Sequence, residues 1–294
     1  LYELTVVGNT CMHHLFLGLD PRHIAEAPYI PVQTDCMVVD PHELGVRMHP
    51  EGRVYTLPVI AGYVGADTVG VILATRLMEQ PRPILAIDIG TNGEVVLWTG
   101  KELLCASCAA GPAFEGAQIE HGMRAAPGAI AVVDLPNGDL AVETIGQQPA
   151  LGICGSGLFD AMAAVLNGGL VDAMGRLAGA ERLEQLPEAL ARRLEGEGPR
   201  RRVVLASGEQ AAGGPIYLTQ RDVREIQLAK GAVRAAVELL LKEAGFGVQD
   251  LEAVLLAGAF GNHIRPESAL RIGMLPPVPP ERIRGVGNAA GAGA

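Results

Sequence analysis

ILAIDIGTNGEVVLW, residues 84–98, decides how the rest of this chain is read. Two apolar, β-rich runs flank a short Gly-Thr-Asn-Gly turn, which is a strong hairpin signal. An aspartate, Asp88, stands near the end of a strand that otherwise reads as buried, and Thr91 stands at the tip of the turn. Two readings fit. In the first, Asn92-Gly93 forms a two-residue type I′ turn and Asp88 is a surface residue. In the second, backbone N–H groups of Gly90, Thr91, Asn92 and Gly93 converge on a phosphate, while Asp88 holds Mg²⁺ through water.

Three other stretches carry candidate chemistry. LLAGAFGNHI (255–264) is an apolar strand running into a glycine corner, where Gly258, Ala259, Gly261 and Asn262 would let a ribose or flat ring lie against bare backbone. The plainer reading is a tight packing turn. GICGSG (152–157) opens a helix, so Gly155, Ser156 and Gly157 could offer N–H groups to an anion. No lysine follows, so it is not a Walker A loop, and close helix crossing explains the glycines equally well. Glu115, in AAGPAFEGAQIEHGM (109–123), could reach a metal-bound water, or could simply be solvated.

Other residues invite plain readings. Cys105 and Cys108 form a single CxxC, short of the four ligands a zinc or iron–sulfur site needs, and read as ordinary thiols. His13, His14, His121 and His263 lack metal-ligand spacing, and Lys230 reads as a solvated helix lysine.

Around these stretches the pattern is α/β. Residues 1–80 form a first unit with a strand at YELTVVG, a short helix at NTCMHHLFLGL and an apolar helix at ADTVGVILATRLMEQ; Pro81-Arg82-Pro83 links it to a second unit, 81–294. There AIAVVDL and LAVETIG pair around Pro136-Asn137-Gly138-Asp139. Residues 174–202 read as a surface helix and loop, and VVLAS and PIYLT as strands. Thr219 with Asp222 caps a long helix whose apolar stripe is Val223, Ile226, Val233, Val237, Leu240 and Ala244, stopped by Gly245. The final GVGNAAGAGA trails off with no helix expected. The start at Leu1 and this ending read as the edges of a fragment.

Composition narrows the function classes. A net charge of −10 with no basic, aromatic-interleaved run argues against nucleic acid. No apolar run reaches membrane-span length. Five scattered cysteines suit free thiols in a reducing, cytoplasmic setting.

The order DIGTN, GICGSGLFDA, a strand pair with a long helix, then LAGAFGN resembles the superfamily of acetate and sugar kinases, heat-shock chaperones and actin. More narrowly, GNTCMHHLFLG, IAGYVGADT, IDIGTNGEVVL, AAGPAFEGAQIEHGMRA, PGAIAVV, GICGSGL, LTQRDVREIQLAKGAVRA, LAGAFGNHI and GVGNAAGAGA, in order along nearly the whole chain, resemble the reductive activators of corrinoid-dependent methyltransferases.

That resemblance implies a small α/β middle domain at 1–80 and a two-lobed, actin-like ATP-binding domain at 81–294. It implies a 2Fe–2S ferredoxin domain outside this chain, a corrinoid protein as partner, a homodimer, and ATP-driven reduction of Co(II) to Co(I). It assigns Asp88 to the Mg²⁺–phosphate end, Gly90 to Gly93 to the phosphate loop, and Gly258 to Asn262 to the adenosine end. The region expected to form a second phosphate loop, VVLASGEQAAGGPIYLT, lacks the usual aspartate. A small-molecule kinase and a nucleotide-independent docking scaffold are the rival functions.

Overall fold

The computed structural model describes residues 1–258 and 261–294. In the N-terminal region, strand β1 (Glu3–Val6) is followed by helices α1 (Thr10–Phe16) and α2 (Arg22–Ala25), strands β2 (Met37–Val39) and β3 (Arg53–Thr56), and helix α3 (Ala66–Ala74). The three strands form a small mixed sheet in the order β1-β3-β2. Asn9 starts α1 by accepting from the Met12 amide through its side chain, as an N-cap should. The apolar helix expected to run on to residue 80 stops at Ala74, because Arg76 adopts a left-handed φ of 48°.

The hairpin reading of 84–98 holds. Strands β4 (Ile84–Ile89) and β5 (Gly93–Trp98) pair antiparallel, with Ile89 opposite Gly93 and Asp88 opposite Glu94. The connection is three residues, Gly90 to Asn92. Neither Asn92 nor Gly93 has a positive φ, so the turn is not the type I′ turn of the plainer reading, which needs left-handed backbone at both central residues. Strand β6 (Leu103–Cys108) pairs with β5.

Next come β7 (Ala129–Asp134), β8 (Ala141–Thr144), β9 (Gly152–Ile153) and α4 (Gly155–Asn167). β7 and β8 pair around the expected turn, with Asp134 opposite Ala141. Residues 174–202 hold no long surface helix. They contain the one-turn helices α5 (Ala180–Leu183) and α6 (Glu188–Ala191) and the two-residue strand β10 (Leu194–Glu195). Strands β11 (Arg202–Ala206) and β12 (Ile216–Thr219) pair antiparallel and lead into α7 (Gln220–Ala244). A full capping box joins Thr219 and Asp222, and Gly245 ends the helix at φ 68°. The chain closes with β13 (Ala253–Ala257), α8 (Pro266–Arg271), β14 (Ile283–Gly287) and α9 (Ala289–Gly293).

The central element is a five-stranded sheet in the order β14-β13-β4-β5-β6, with β13 parallel to both β4 and β14. Side chains alternate faces along each strand. Leu85, Ile87, Ile89, Val95 and Leu97 join the main core with Val223, Ile226, Val233 and Val237 of α7. Ile84, Ala86, Val96 and Trp98 face the other way, onto Val71 and Ile72 of α3 and Ala289 of α9. The N-terminal region therefore covers one face of the sheet, and α3 belongs to that second core.

The ending GVGNAAGAGA, expected to trail off, forms α9. Asn288 caps it by accepting from the Gly291 amide, and the helix lies directly on α3. The seam is too close for side chains. A Cβ on Gly70 would stand 2.5 Å from the Ala290 carbonyl oxygen. Small residues give the segment no apolar stripe to read in sequence, and packing on α3 makes it helical.

Candidate functional site

Alternation places Asp88 on the α3 face, two residues beyond Ala86. The hairpin register sets Glu94 opposite it, and Ser107 of β6 stands opposite Glu94. The row Asp88–Glu94–Ser107 thus crosses the sheet near its end, and Ser107 Oγ donates to Glu94 Oε1 at 3.4 Å. Like charges opposite one another on adjacent strands repel. Asp67, in the first turn of α3, adds a third carboxylate. Burial, then the Asp67 charge, pushes the Asp88 carboxyl up to about 6. Burial, then Asp67 and Asp88, pushes Glu94 up to about 7. Burial also raises Asp67. Among the described residues no Arg, Lys or His forms an ion pair with any of the three.

These groups line an open cleft of about 440 Å³, together with Asn9, Ile89, Gly90, Thr91, Asn92, Glu115, Gly258 and Ala290. A short 3₁₀ turn, Pro112–Glu115, carries Glu115 to the hairpin tip, where Thr91 Oγ1 donates to Glu115 Oε1 at 2.5 Å. Gly258 follows β13, the strand beside β4. Its φ is +97°, and a Cβ there would lie 2.6 Å from the Ile89 carbonyl oxygen and 2.8 Å from Asp88 Oδ1. Only glycine lets the corner approach the aspartate this closely.

The structure therefore brings Asp88, Gly90, Thr91, Asn92, Glu115 and Gly258 to one place, with Gly93 just behind as the first residue of β5. Both glycine corners belong to neighbouring strands of one sheet; they do not face each other from two lobes. Ala259, and Phe260 beside it, lie outside the described residues.

Other candidates lie elsewhere. Gly261 closes the turn by donating its amide to the Gly258 carbonyl at 3.0 Å. Asn262 turns toward β14, where a Cβ on Gly287 would be 2.6 Å from its Nδ2, so two glycine motifs of the sequence lock into each other. Gly155, Ser156 and Gly157 are buried at the start of α4, and a Cβ on Gly157 would be 2.2 Å from the Ile130 carbonyl oxygen. These glycines let α4 lie on β7 and do not line the cleft. The β11–β12 turn hydrogen-bonds through Gln210 and Ala212 to Ala150, also away from the cleft.

Lys230 donates to the Ile272 carbonyl at 2.5 Å, at the C-terminal end of α8, where a cation suits the helix dipole. It is partly buried, not the solvated lysine of the sequence reading. Cys105 and Cys108 point to opposite faces of β6, one into each core, and cannot act as a chelating pair. Among the described residues no three His, Cys, Asp or Glu side chains form a group that could hold a metal ion.

Sequence reasoning missed Asp67, Glu94 and Asn9. Glu94 was readable, since a three-residue hairpin loop fixes it opposite Asp88. Asp67 and Asn9 reach the cleft only through the packing of α3 and α1, which leaves no local signal.

Comparison with known proteins identifies the family. Residues 82–294 match the family described as the C-terminal domain of RACo, the ASKHA domain, and residues 1–80 match the RACo middle region. The chain is 37% identical over its whole length to the corrinoid activation enzyme RamQ of Eubacterium limosum, covering 49% of that protein. It is 30% identical to the [Co(II) methylated amine-specific corrinoid protein] reductase of Methanosarcina barkeri, over 93% of this chain and 51% of the relative. A solved reductive activator for corrinoid, iron-sulfur protein superposes with a TM-score of 0.88 at 36% identity, covering 99% of this chain and 46% of that one. The chain thus spans about half the length of the relatives it matches. On residues 1–80 and 82–294 together, it belongs to the RACo family, of which it carries the middle region and the actin-like ASKHA domain.

Proposed function

We propose that this chain is the nucleotide-binding part of an ATP-dependent reductive activator of a corrinoid protein. The observation that carries the reading is the meeting of the 88–93 hairpin tip and Gly258 at one cleft, in a chain that belongs to this family. The donor set fits a magnesium nucleotide. Among the described residues the three neighbouring carboxylates have no basic partner, which suits a hard cation. Among the described residues they do not form a group that could hold a metal ion by itself, so the cation would come with the nucleotide, magnesium keeping waters and phosphate oxygens in its shell.

Asp88 would hold the cation, the amides of Gly90 to Gly93 the phosphates, and the bare backbone at Gly258 the nucleoside side. Glu115, anchored by Thr91, stands at the mouth, where it would orient a water. Hydrolysis of the bound ATP would supply the free energy that makes an unfavourable electron transfer run. The electron donor in this reading is a 2Fe–2S cluster on a domain outside this chain, and the acceptor is the Co(II) corrinoid, reduced to Co(I). An acidic surface of net charge −10 would steer a basic face of the corrinoid protein toward the chain. A homodimer and a cytoplasmic setting belong to the same reading. Among the described residues no helix is long and apolar enough to cross a membrane.

Titration calorimetry with ATP and Mg²⁺ tests the first step. Saturable binding that is lost in Asp88→Ala supports the reading. No heat at millimolar nucleotide overturns it and leaves a docking scaffold.

A further inference from the structure

The cleft is not built by the ASKHA region alone. Asn9 and Asp67 come from the N-terminal region, whereas Ala290, on α9, belongs to the ASKHA region. The first turn of α3, which carries Asp67, is wedged among these pieces without slack. A Cβ on Gly65 would stand 2.6 Å from both the Asn9 Cα and the Gly8 carbonyl oxygen, so α3 begins in direct contact with the start of α1. One turn later Gly70 presses against Ala290. The Asp67 carboxylate accepts from the Thr68 amide at 2.9 Å and lines the same cleft as Asp88 and Glu94, whose carboxyls its charge helps to raise. Like charges this close repel, and among the described residues no basic side chain pairs with any of the three.

We infer that Asp67 is the residue through which the N-terminal region senses the nucleotide: with Asp88 it shares the water shell of the nucleotide's divalent cation, and binding fastens the first turn of α3 onto the sheet corner. This rests on the cleft being the nucleotide site. A ligand moves an equilibrium only by the difference in its affinity for the two forms. A carboxylate from α3 provides such a difference, because it reaches the cation only when α3 is docked. Loss of the nucleotide would restore repulsion among Asp67, Asp88 and Glu94 and loosen α3. Through the contacts at Gly65 and Gly70, that change passes to α1 and α9. Bound nucleotide is in this way converted into the posture of residues 1–80.

The test uses the whole chain, a non-hydrolysable ATP analogue, and affinities measured with Mg²⁺ and with EDTA. For the unaltered chain, Mg²⁺ tightens binding, and amide exchange over residues 64–72 slows only when cation and nucleotide are both present. For Asp67→Asn the gain from Mg²⁺ falls about tenfold, metal-free affinity is unchanged or improved, and protection of 64–72 is lost. Asp67→Ser, which suits an early helical position, gives the same result and guards against a folding artefact. An Asp67→Asn chain that keeps the full Mg²⁺ gain, or loses affinity equally with and without metal, overturns the inference while the nucleotide site stands. If the unaltered chain binds no analogue at all, the cleft reading itself falls.

Discussion

Asp88→Asn should make the nucleotide-free chain more stable while removing the binding that Asp88 serves. The Asp88 carboxyl is raised from its ordinary 3.8 to about 6 by burial and by Asp67. A carboxyl raised on folding contributes stability that is fully present below the unfolded value and is lost as pH rises through the folded one. At pH 8 the ionised side chain therefore costs the folded state. A shift of roughly two units, at about 1.4 kcal/mol each, sets an upper limit of about 3 kcal/mol. Glu94, raised to about 7 directly opposite, titrates jointly with it, so the relief at the pair is shared and not additive. Asparagine keeps the shape and removes the charge. We expect Asp88→Asn to be more stable than the unaltered chain by about 1–3 kcal/mol at pH 8, a gap that roughly halves by pH 5 and closes only below about pH 4. Urea unfolding at pH 5 and pH 8, followed by circular dichroism, measures it, and calorimetry shows the loss of Mg²⁺–nucleotide binding. If the variant unfolds at the same or lower urea at pH 8, the carboxylates are not in mutual strain and the electrostatic account of the cleft is wrong.

Gly258→Ala places a methyl 2.6 Å from the Ile89 carbonyl oxygen at a φ of +97°. Left-handed strain and overpacking together should cost about 2–5 kcal/mol, and a loss under 1 kcal/mol in urea unfolding would show that the corner yields. Gly70→Ala should loosen α9 from α3 at a cost of about 1–3 kcal/mol, seen as faster proteolysis of residues 288–294; unchanged cleavage would mean the seam adapts. Asp222→Ala removes the Asp222 half of the α7 capping box, leaving the Thr219 amide unpaired, and also leaves the Glu120 amide, which donates to Asp222 Oδ1 at 2.9 Å, without its partner. The expected loss is about 2–4 kcal/mol, and Asp222→Asn should recover part of it; equal losses in both would point to charge and not to capping.

The elements legible in the sequence are those whose signals are local. The 84–98 hairpin announced itself by two apolar runs and a short turn, and its register then fixed Asp88 against Glu94 without further information. The long α7 carried its start in Thr219 and Asp222, its stripe in Val223 to Ala244, and its stop in Gly245. Where local signals were weak the reading failed. Residues 174–202 are charged and Gly-Pro punctuated, and they settle into one-turn helices and a two-residue strand. The last residues have only Ala and Gly after Asn288, and become helical because α3 offers Gly70 to lie against.

The cleft divides along the same line. Asp88, Gly90 to Asn92 and Gly258 stand at the ends of two apolar strands, and a parallel β4–β13 pairing brings those ends together, as ligand sites in open α/β sheets usually require. Asp67 lies 21 residues before Asp88, in a helix whose apolar composition gives reason to expect burial and none to expect a carboxylate in a cleft. Yet alternation along β4 leaves Asp88 on the face that α3 covers. An aspartate that lines an open cleft while sitting under a helix needs that helix to present something polar at the point of contact. In this chain the polar group is another carboxylate, so on the inference drawn above the contact tightens when positive charge arrives between them, and the joint between the two regions would respond to a bound cation.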